Sequence, residues 1–291
     1  MDVTTHSSTP RVVDDRQLLR TRLGPVGYRD VGSGRPIVFV AGAVANGDLW
    51  NAVVPSLAPR FRCVMVDLPL GAHHVPLDAG ADRSARSLAR LILDVLVELA
   101  LDDGVLVAND TAGGLTLLAL GEQHEGLRRI GALVLTNCDS FEHFPPKSLR
   151  PFAFLCRHAP RFAGFAFRRS LRSDRGRRRL ARSVAATALD ERLEHSLFDP
   201  SANAAISADF VAAFAGFRPS ILLEATPALE QLAQPVLLAW GDADTFFPVA
   251  HAQRLAATFP KATMTTIAGA KTWVPLDKPD ELAAAIAAFA A

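Results

Sequence analysis

Short apolar runs alternate along this chain with longer stretches in which apolar residues recur every three or four positions. Side chains alternate across a strand and return to one face of a helix after about 3.6 residues, so the two patterns predict strands and helices respectively. Gln17 to Val31 alternates loosely around a Gly24-Pro25 turn signal and reads as an edge hairpin. Pro36 to Val40 reads as a buried strand that feeds a tight turn at Ala41-Gly42-Ala43. Asp48 to Ala58, with Leu49, Val53 and Leu57 at helical spacing, predicts a helix. Cys63 to Val66 is a second buried strand, closed by Asp67-Leu68-Pro69. Ser84 to Ala100 is an amphipathic helix carrying Leu88, Leu91, Ile92, Val95 and Leu99 on one face. Val105 to Ala108 and Ile130 to Thr136 add two further strands.

From about Ser140 to about Thr226 no strand-like run occurs, only helical segments rich in Phe and Arg. The alternation then returns as a strand at Pro235 to Trp240, a helix at Val249 to Phe259, a strand at Ala262 to Ile267 and a helix at Pro279 to Ala290. The pattern predicts an α/β fold, a mostly parallel sheet with helices on both faces. Its core would comprise residues 1–139 and 229–291, with a helical cap over 140–228 inserted after the sixth main strand.

Composition narrows the class. Hydrophobic residues make up 49% of the 291 positions and charged residues 21%, which supplies a sizeable core and excludes disorder. The net charge of +1 gives no global reason to expect nucleic acid or a membrane as partner. Cys63, Cys138 and Cys156 fit neither a disulfide framework nor a zinc spacing and read as small buried hydrophobes of a reducing compartment. The first sixteen residues lack the apolar core of a signal peptide, and Asp94 and Glu98 interrupt the richest apolar stretch, Leu88 to Leu101. The expectation is a cytoplasmic protein with a small-molecule substrate and no cofactor or metal; self-association stays open.

The chemistry concentrates between Gly104 and Leu118. A buried strand runs into Asn109, Asp110 and Thr111, then the small residues Ala112, Gly113 and Gly114, then an apolar helix. Such a bend pushes its apex side chain out above the sheet, with a helix N-terminus behind it that favours negative charge. Here the apex is Asp110, and a carboxylate there suits attack on an electrophilic carbon. A capping aspartate for the following helix is the plain alternative.

From about Gly34 onward the chain resembles the α/β-hydrolases. PIVFVAGAVANGDLW is similar to the family's oxyanion turn and the tryptophan-bearing helix after it, with Ala41 where a histidine is usual. VMVDLPLGAHHVP is similar to the segment after the fourth strand, and PVLLAWGDADTFFP to the strand and turn that deliver the catalytic acid. IAGAKTWVPLDKPDELAAAIAAF resembles the last strand, the histidine loop and the closing helix. The aspartate elbow resembles that of haloalkane dehalogenases and epoxide hydrolases. The resemblance implies Asp110 as nucleophile, Asp244 as acid, and the backbone amides of Ala43 and Thr111 as oxyanion donors. It also places Thr272 where the catalytic histidine should stand. In a serine protease the loss of that histidine lowers turnover by about 10⁶-fold. Another base must serve, the chemistry must not need one, or the site is dead.

Candidate auxiliaries follow from position. Asn109 flanks the apex; Asn137 and Asp139 end the next strand and offer a donor and a second carboxylate, or caps for the first cap helix. Trp273 adjoins the vacant histidine position, as does Lys271. His73 and His74, in the loop after the fourth strand, and His143, at the start of the cap, are the replacement bases within reach of the rim. Arg157 to Arg182 holds ten arginines and one acid, Asp174, and reads as a solvated face or, for one or two of them, a substrate clamp. Phe152, Phe154, Phe162, Phe165 and Phe167 are expected to pack cap against core. The position after the apex, Thr111, lacks the tryptophan that dehalogenation usually uses, and the lone tyrosine, Tyr28, lies outside the cap where epoxide opening usually needs one. The readings are therefore a hydrolase with Asp110 as nucleophile or general base and an atypical triad, acting on a small, largely apolar molecule; a lyase, isomerase or cyclase in which Asp110 moves a proton; or an inactive ligand-binding homologue.

Overall fold

The computed structural model describes residues 15–291, so all but the end of the N-terminal stretch read above for a signal peptide lies outside the described residues. The strands are β1 (Gln17–Thr21), β2 (Gly24–Val31), β3 (Pro36–Val40), β4 (Arg62–Val66), β5 (Gly104–Asp110), β6 (Ile130–Cys138), β7 (Val236–Gly241) and β8 (Ala262–Ile267). They form one sheet in the order β1-β2-β4-β3-β5-β6-β7-β8. The hairpin β1–β2 and the β2–β4 pair are antiparallel and every later pair is parallel. Strands β5 and β7 are buried along their whole length, as continuous apolar runs between two helical layers must be. The outer strand β8 alternates between half-buried and exposed.

The helices are α1 (Val54–Leu57), α2 (Ala85–Glu98), α3 (Thr111–Leu120), α4 (Arg150–His158), α5 (Pro160–Leu171), α6 (Asp174–Val184), α7 (Glu191–Phe198), α8 (Ala204–Gly216), α9 (Pro219–Glu230), α10 (Val249–Thr258), α11 (Val274–Asp277) and α12 (Pro279–Ala290). Ser84 starts α2 by accepting the Ser87 N–H on its hydroxyl. All ten residues of α3 are buried, which explains a helix apolar on every side. Helices α4 to α9 lie between β6 and β7, and no strand interrupts them. Among the described residues no single helix is long and apolar enough to cross a membrane.

Two expectations are corrected. Asp48 to Ala58 is not one helix: a 3-10 turn at Gly47–Trp50 is followed by α1. Pro55 has no N–H to give the preceding turn, which weakens a continuous helix there and suits the first turn of α1 instead. In the cap, Phe167 is buried and Phe152 packs against it, but Phe154, Phe162 and Phe165 stand outside, 58–61% exposed. The rings that join cap to core are instead Phe144, Phe217, Phe214, Phe210 and Phe167, whose successive centroids lie 4.5–5.1 Å apart. Phe210 closes over Gly71, where a Cβ would come within 3.1 Å of the ring. The three cysteines are free and buried, as expected.

Candidate active site

Strand β5 sits between β3 and β6, so its C-terminal end opens at mid-sheet, where open α/β sheets place their ligands. Asp110 occupies that end with φ 56° and ψ −134°, backbone space that favours glycine and costs about 1–3 kcal/mol for other residues. Val44, in the facing turn, is likewise at φ 56°, an outlier for a β-branched residue. Strain thus concentrates on both sides of one point. Absent side chains make the approach feasible. A Cβ on Gly42 would lie 2.5 Å from both Asp110 Oδ2 and the Thr111 nitrogen. One on Gly113 would lie 2.3 Å from Cys138 Cβ, and one on Gly114 2.7 Å from Asp139 Cβ. The small residues at the bend are what let α3 settle against the ends of β3 and β6.

Asp110 makes no capping bond to α3. Its Oδ2 accepts the Ala43 N–H at 2.9 Å, which brings together the turn and the apex as the sequence anticipates. The side chain is buried, with 8% of the residue accessible. Burial pushes its carboxyl up to about 7; the Ala43 N–H opposes that rise, the charge of Asp244 adds to it, and Thr111 opposes it again.

Asp139, next along from β6, is 1% exposed and neither of its oxygens has a hydrogen-bond partner. Burial first, and the Asp110 charge second, hold it well above the usual carboxylate range. With neither oxygen bonded, it caps no helix. Asp244 is buried and accepts from Asn137 Nδ2 at 2.9 Å and Thr272 Oγ1 at 3.0 Å on one oxygen, and from the Phe246 N–H at 2.7 Å on the other. Burial still leaves its carboxyl raised. The side chain against Asp244 in this loop is thus the Thr272 hydroxyl. Asn137 also donates to Gly241 O at 2.9 Å and accepts from Gly241 N at 2.6 Å, so its amide joins the ends of β6 and β7 and faces no open space. Asn109 donates to Thr136 Oγ1 at 2.8 Å and to Thr272 O at 2.7 Å, which ties the elbow to the Thr272 loop.

His73 and His143 are engaged elsewhere, whereas His74 Nδ1 is buried without a hydrogen-bond partner. His73 is buried with Nε2 3.2 Å from Asp209 Oδ2, and Arg83 and the Leu77 N–H complete that carboxylate's shell. His74 Nδ1 lies 3.3 Å from Asp67 Oδ2. His143 stacks on His251 with centroids 4.2 Å apart, and burial lowers the pKa of both. Lys271 gives its Nζ to Arg182 O at 2.7 Å on the exterior, and Asp242 accepts from the Gly269 N–H at 2.7 Å. The sequence reading passed over Trp50 as a candidate. Its indole N–H and that of Trp273 are buried without a partner. An unmet buried donor costs about 1–3 kcal/mol, so each is a donor that a ligand or water would satisfy. The sequence signal is a tryptophan eight residues past Gly42. A crevice of about 220 Å³ opens between the Gly47–Trp50 turn, α7 and α11, lined by Asp48, Asp190, Ser196 and Pro275 among others, and none of its lining residues belongs to this cluster.

An eight-stranded, mostly parallel sheet with helices on both sides and a strained residue at the β5–α3 bend is the fold of the α/β hydrolases. Residues 37–285 match the alpha/beta hydrolase family, and the chain belongs to it. It is similar to haloalkane dehalogenase 2 of Mycobacterium tuberculosis, 28% identical over 283 residues that cover 90% of each chain. Two solved structures share its fold. An alpha/beta hydrolase fold protein from Burkholderia ambifaria has a TM-score of 0.77 at 22% identity, covering 94% of this chain and 97% of that one. Haloalkane dehalogenase DbeA from Bradyrhizobium elkani USDA94 has 0.77 at 17% identity, covering 95% and 98%. With this family membership the chain is an enzyme of the hydrolase type.

Proposed function

We propose that this enzyme acts on a small, largely apolar molecule through Asp110 as the reacting carboxylate, with an atypical triad in which Thr272 replaces the histidine. The observation that carries the reading is the hydrogen bond from the Ala43 N–H to Asp110 Oδ2, which fixes one oxygen and leaves Oδ1 to react. Oδ1 attacks an electrophilic carbon of the substrate, a C–O bond forms, and the leaving group departs with the electron pair of the broken bond. Oδ2 becomes the ester carbonyl and already occupies the position where negative charge gathers when water adds to the aspartyl Cγ. Ala43 and Thr111 supply the donors for that charge. The proton released by the water passes to Asp244, whose raised pKa makes it a better acceptor than an ordinary carboxylate. The tetrahedral centre then collapses, the bond from Cγ to the substrate oxygen breaks, and that oxygen leaves as the alcohol by taking the proton back, which restores the Asp110 carboxylate. Asn137 and Thr272 position Asp244 for this step.

A second reading is favoured by one specific observation: Asp139 is buried with no hydrogen-bond partner on either oxygen, and burial and the Asp110 charge raise its carboxyl as burial raises that of Asp110. Two buried carboxyl groups that hold their protons more tightly than usual can take a proton at one site and return it at another, the economy of a lyase or isomerase. Intact-protein mass after incubation with alkyl halides, epoxides and activated esters separates the two. The hydrolytic reading expects an adduct on Asp110 that is absent in Asp110→Asn. Turnover in heavy-oxygen water with unlabelled product and no adduct establishes the proton-transfer reading in its place. Ligand binding that survives Asp110→Asn with no turnover defeats both.

A further inference from the structure

The cap carries a surface that the chemistry at Asp110 does not use. Helices α4 and α5 pack their inner faces on α8, through Ala153 and Cys156 of α4 and Ala163, Phe167 and Leu171 of α5. Their outer faces expose Phe154, Phe162 and Phe165, each 58–61% accessible. The exposed positions of α5 include Arg161, Phe162, Phe165 and Arg169, with Arg172 just beyond the helix, and these five fall at helical spacing on one side. Arg157 and His158 flank Phe154 on α4, and the His158 ring lies 4.2 Å from the Phe154 ring.

Charge reinforces the pattern. Residues 157 to 182 hold ten arginines against one aspartate, net +9, so the remainder of a molecule of net +1 carries −8. Eight of the ten are exposed, among them Arg175, Arg178, Arg179 and Arg182 along α6. Among the described residues Arg161, Arg169 and Arg172 have no carboxylate within 4 Å. Aromatic side chains amid unpaired arginines on a helix lying flat on a protein are the composition that settles at the boundary between headgroups and acyl chains of an anionic bilayer. A second copy of the chain is a poor occupant, since an isologous contact would set the same positive patch against itself.

We propose that the outer face of α4 and α5, centred on Phe154, Phe162 and Phe165 and bordered by Arg157, Arg161, Arg169 and Arg172, docks on an anionic lipid surface. The arginines draw the cap to the headgroups and the phenylalanines enter the interface. This docking stands apart from the reaction at Asp110, so either can fail alone.

Vesicle flotation with the full chain tests it, using phosphatidylcholine vesicles with and without one third phosphatidylglycerol. The wild type is expected to float with the anionic vesicles only, with binding weakened at least tenfold by 0.5 M salt. Phe154→Ser, Phe162→Ser and Phe165→Ser combined is expected to lower binding at least tenfold while thermal unfolding and adduct formation at Asp110 stay unchanged, because all three rings are solvent-facing. Arg161→Gln, Arg169→Gln and Arg172→Gln combined is expected to weaken binding to the anionic vesicles and to lessen its salt dependence. Failure to float with anionic vesicles overturns the proposal, as does binding indifferent to the serine variant. A wild-type dimer that the serine variant converts to monomer, or retention of an acidic protein in place of vesicles, assigns the patch to a protein contact and also overturns it.

Discussion

Replacing Asp110 with Asn changes how the stability of this fold depends on pH, and the sign follows from where the carboxyl titrates. In the unfolded chain Asp110 releases its proton near 3.8; in the folded chain burial delays release to about 7. Below pH 3.8 both states hold the proton and the residue imposes no penalty. Between 3.8 and 7 the unfolded chain is charged while the folded one stays neutral, so the folded state loses stability with rising pH at about 1.36 kcal/mol per unit. Above 7 the penalty is complete. Its ceiling is about 4 kcal/mol, and water entering beside a side chain with 8% accessibility brings the expectation to about 2–4 kcal/mol. Asp110→Asn removes the titration and keeps an oxygen for the Ala43 N–H. The advantage of the variant over wild type should therefore be smallest near pH 4 and grow until about pH 7.5. Urea unfolding at half-unit steps from pH 4.5 to 8.5 reads the difference directly. In thermal scans, roughly 2–4 °C per kcal/mol applies to domains approaching this size. The reasoning fails if the gap between variant and wild type is flat across that range, or narrows as pH rises. Activity has the matching signature: a rate that needs the carboxylate rises tenfold per unit below about 7 and levels off above it.

Other perturbations probe the surrounding geometry. Gly42→Ala places a methyl 2.5 Å from Asp110 Oδ2 and the Thr111 nitrogen, so kcat/KM or the adduct-forming rate should fall about 100-fold or more, with a loss of about 1–3 kcal/mol in urea unfolding. Asn137→Ala deprives Gly241 and Asp244 of their amide partner; about 2–4 kcal/mol of stability should disappear in the same measurement, because buried groups on β7 are left unpaired. Thr272→His sets an imidazole beside Asp244, and a covalent ester on Asp110 that persists in wild type should then be cleared at least tenfold faster by time-resolved intact mass. An adduct lifetime unchanged in that variant, with the fold intact, removes the hydrolytic role from this side of the site.

The parts of this structure visible in the sequence are those specified by neighbouring residues. The start of α2 follows from Ser84, and the elbow from Ala112, Gly113 and Gly114 pressed against an apolar run. Each depends on backbone geometry within a few positions, so spacing alone carries it. The β1–β2 hairpin also forms, but its turn is at Arg22-Leu23, while Gly24 and Pro25, read as the turn, pair with Thr21 and Arg20 inside β2. The approach of Ala43 to Asp110 spans 67 residues and was legible only because the motifs on each side resemble one family. Partners supplied by distant chain were not legible. His73 could swing toward the site as far as its own loop reveals, yet Asp209, 136 residues away, holds it elsewhere. Asn137 has a donor to offer a ligand until Gly241 and Asp244 arrive from a strand more than 100 positions later.

The cap phenylalanines mark the deeper limit. Helix α5 has two apolar faces: Ala163, Phe167 and Leu171 on one, Phe162 and Phe165 on the other. Periodicity identifies both faces and does not rank them, and side-chain size ranks them the wrong way, since the face with two large rings is the one left outside. The buried face wins because Ala163, Phe167 and Leu171 are buried together on the side where α5 packs on α8, and a contact already available in the fold outweighs burial of two rings with nothing among the described residues to cover them. Once that contact forms, Phe162 and Phe165 face away from the rest of the described residues. Their exposure is a consequence of good packing on the opposite side, and it leaves a hydrophobic surface that the described residues do not cover.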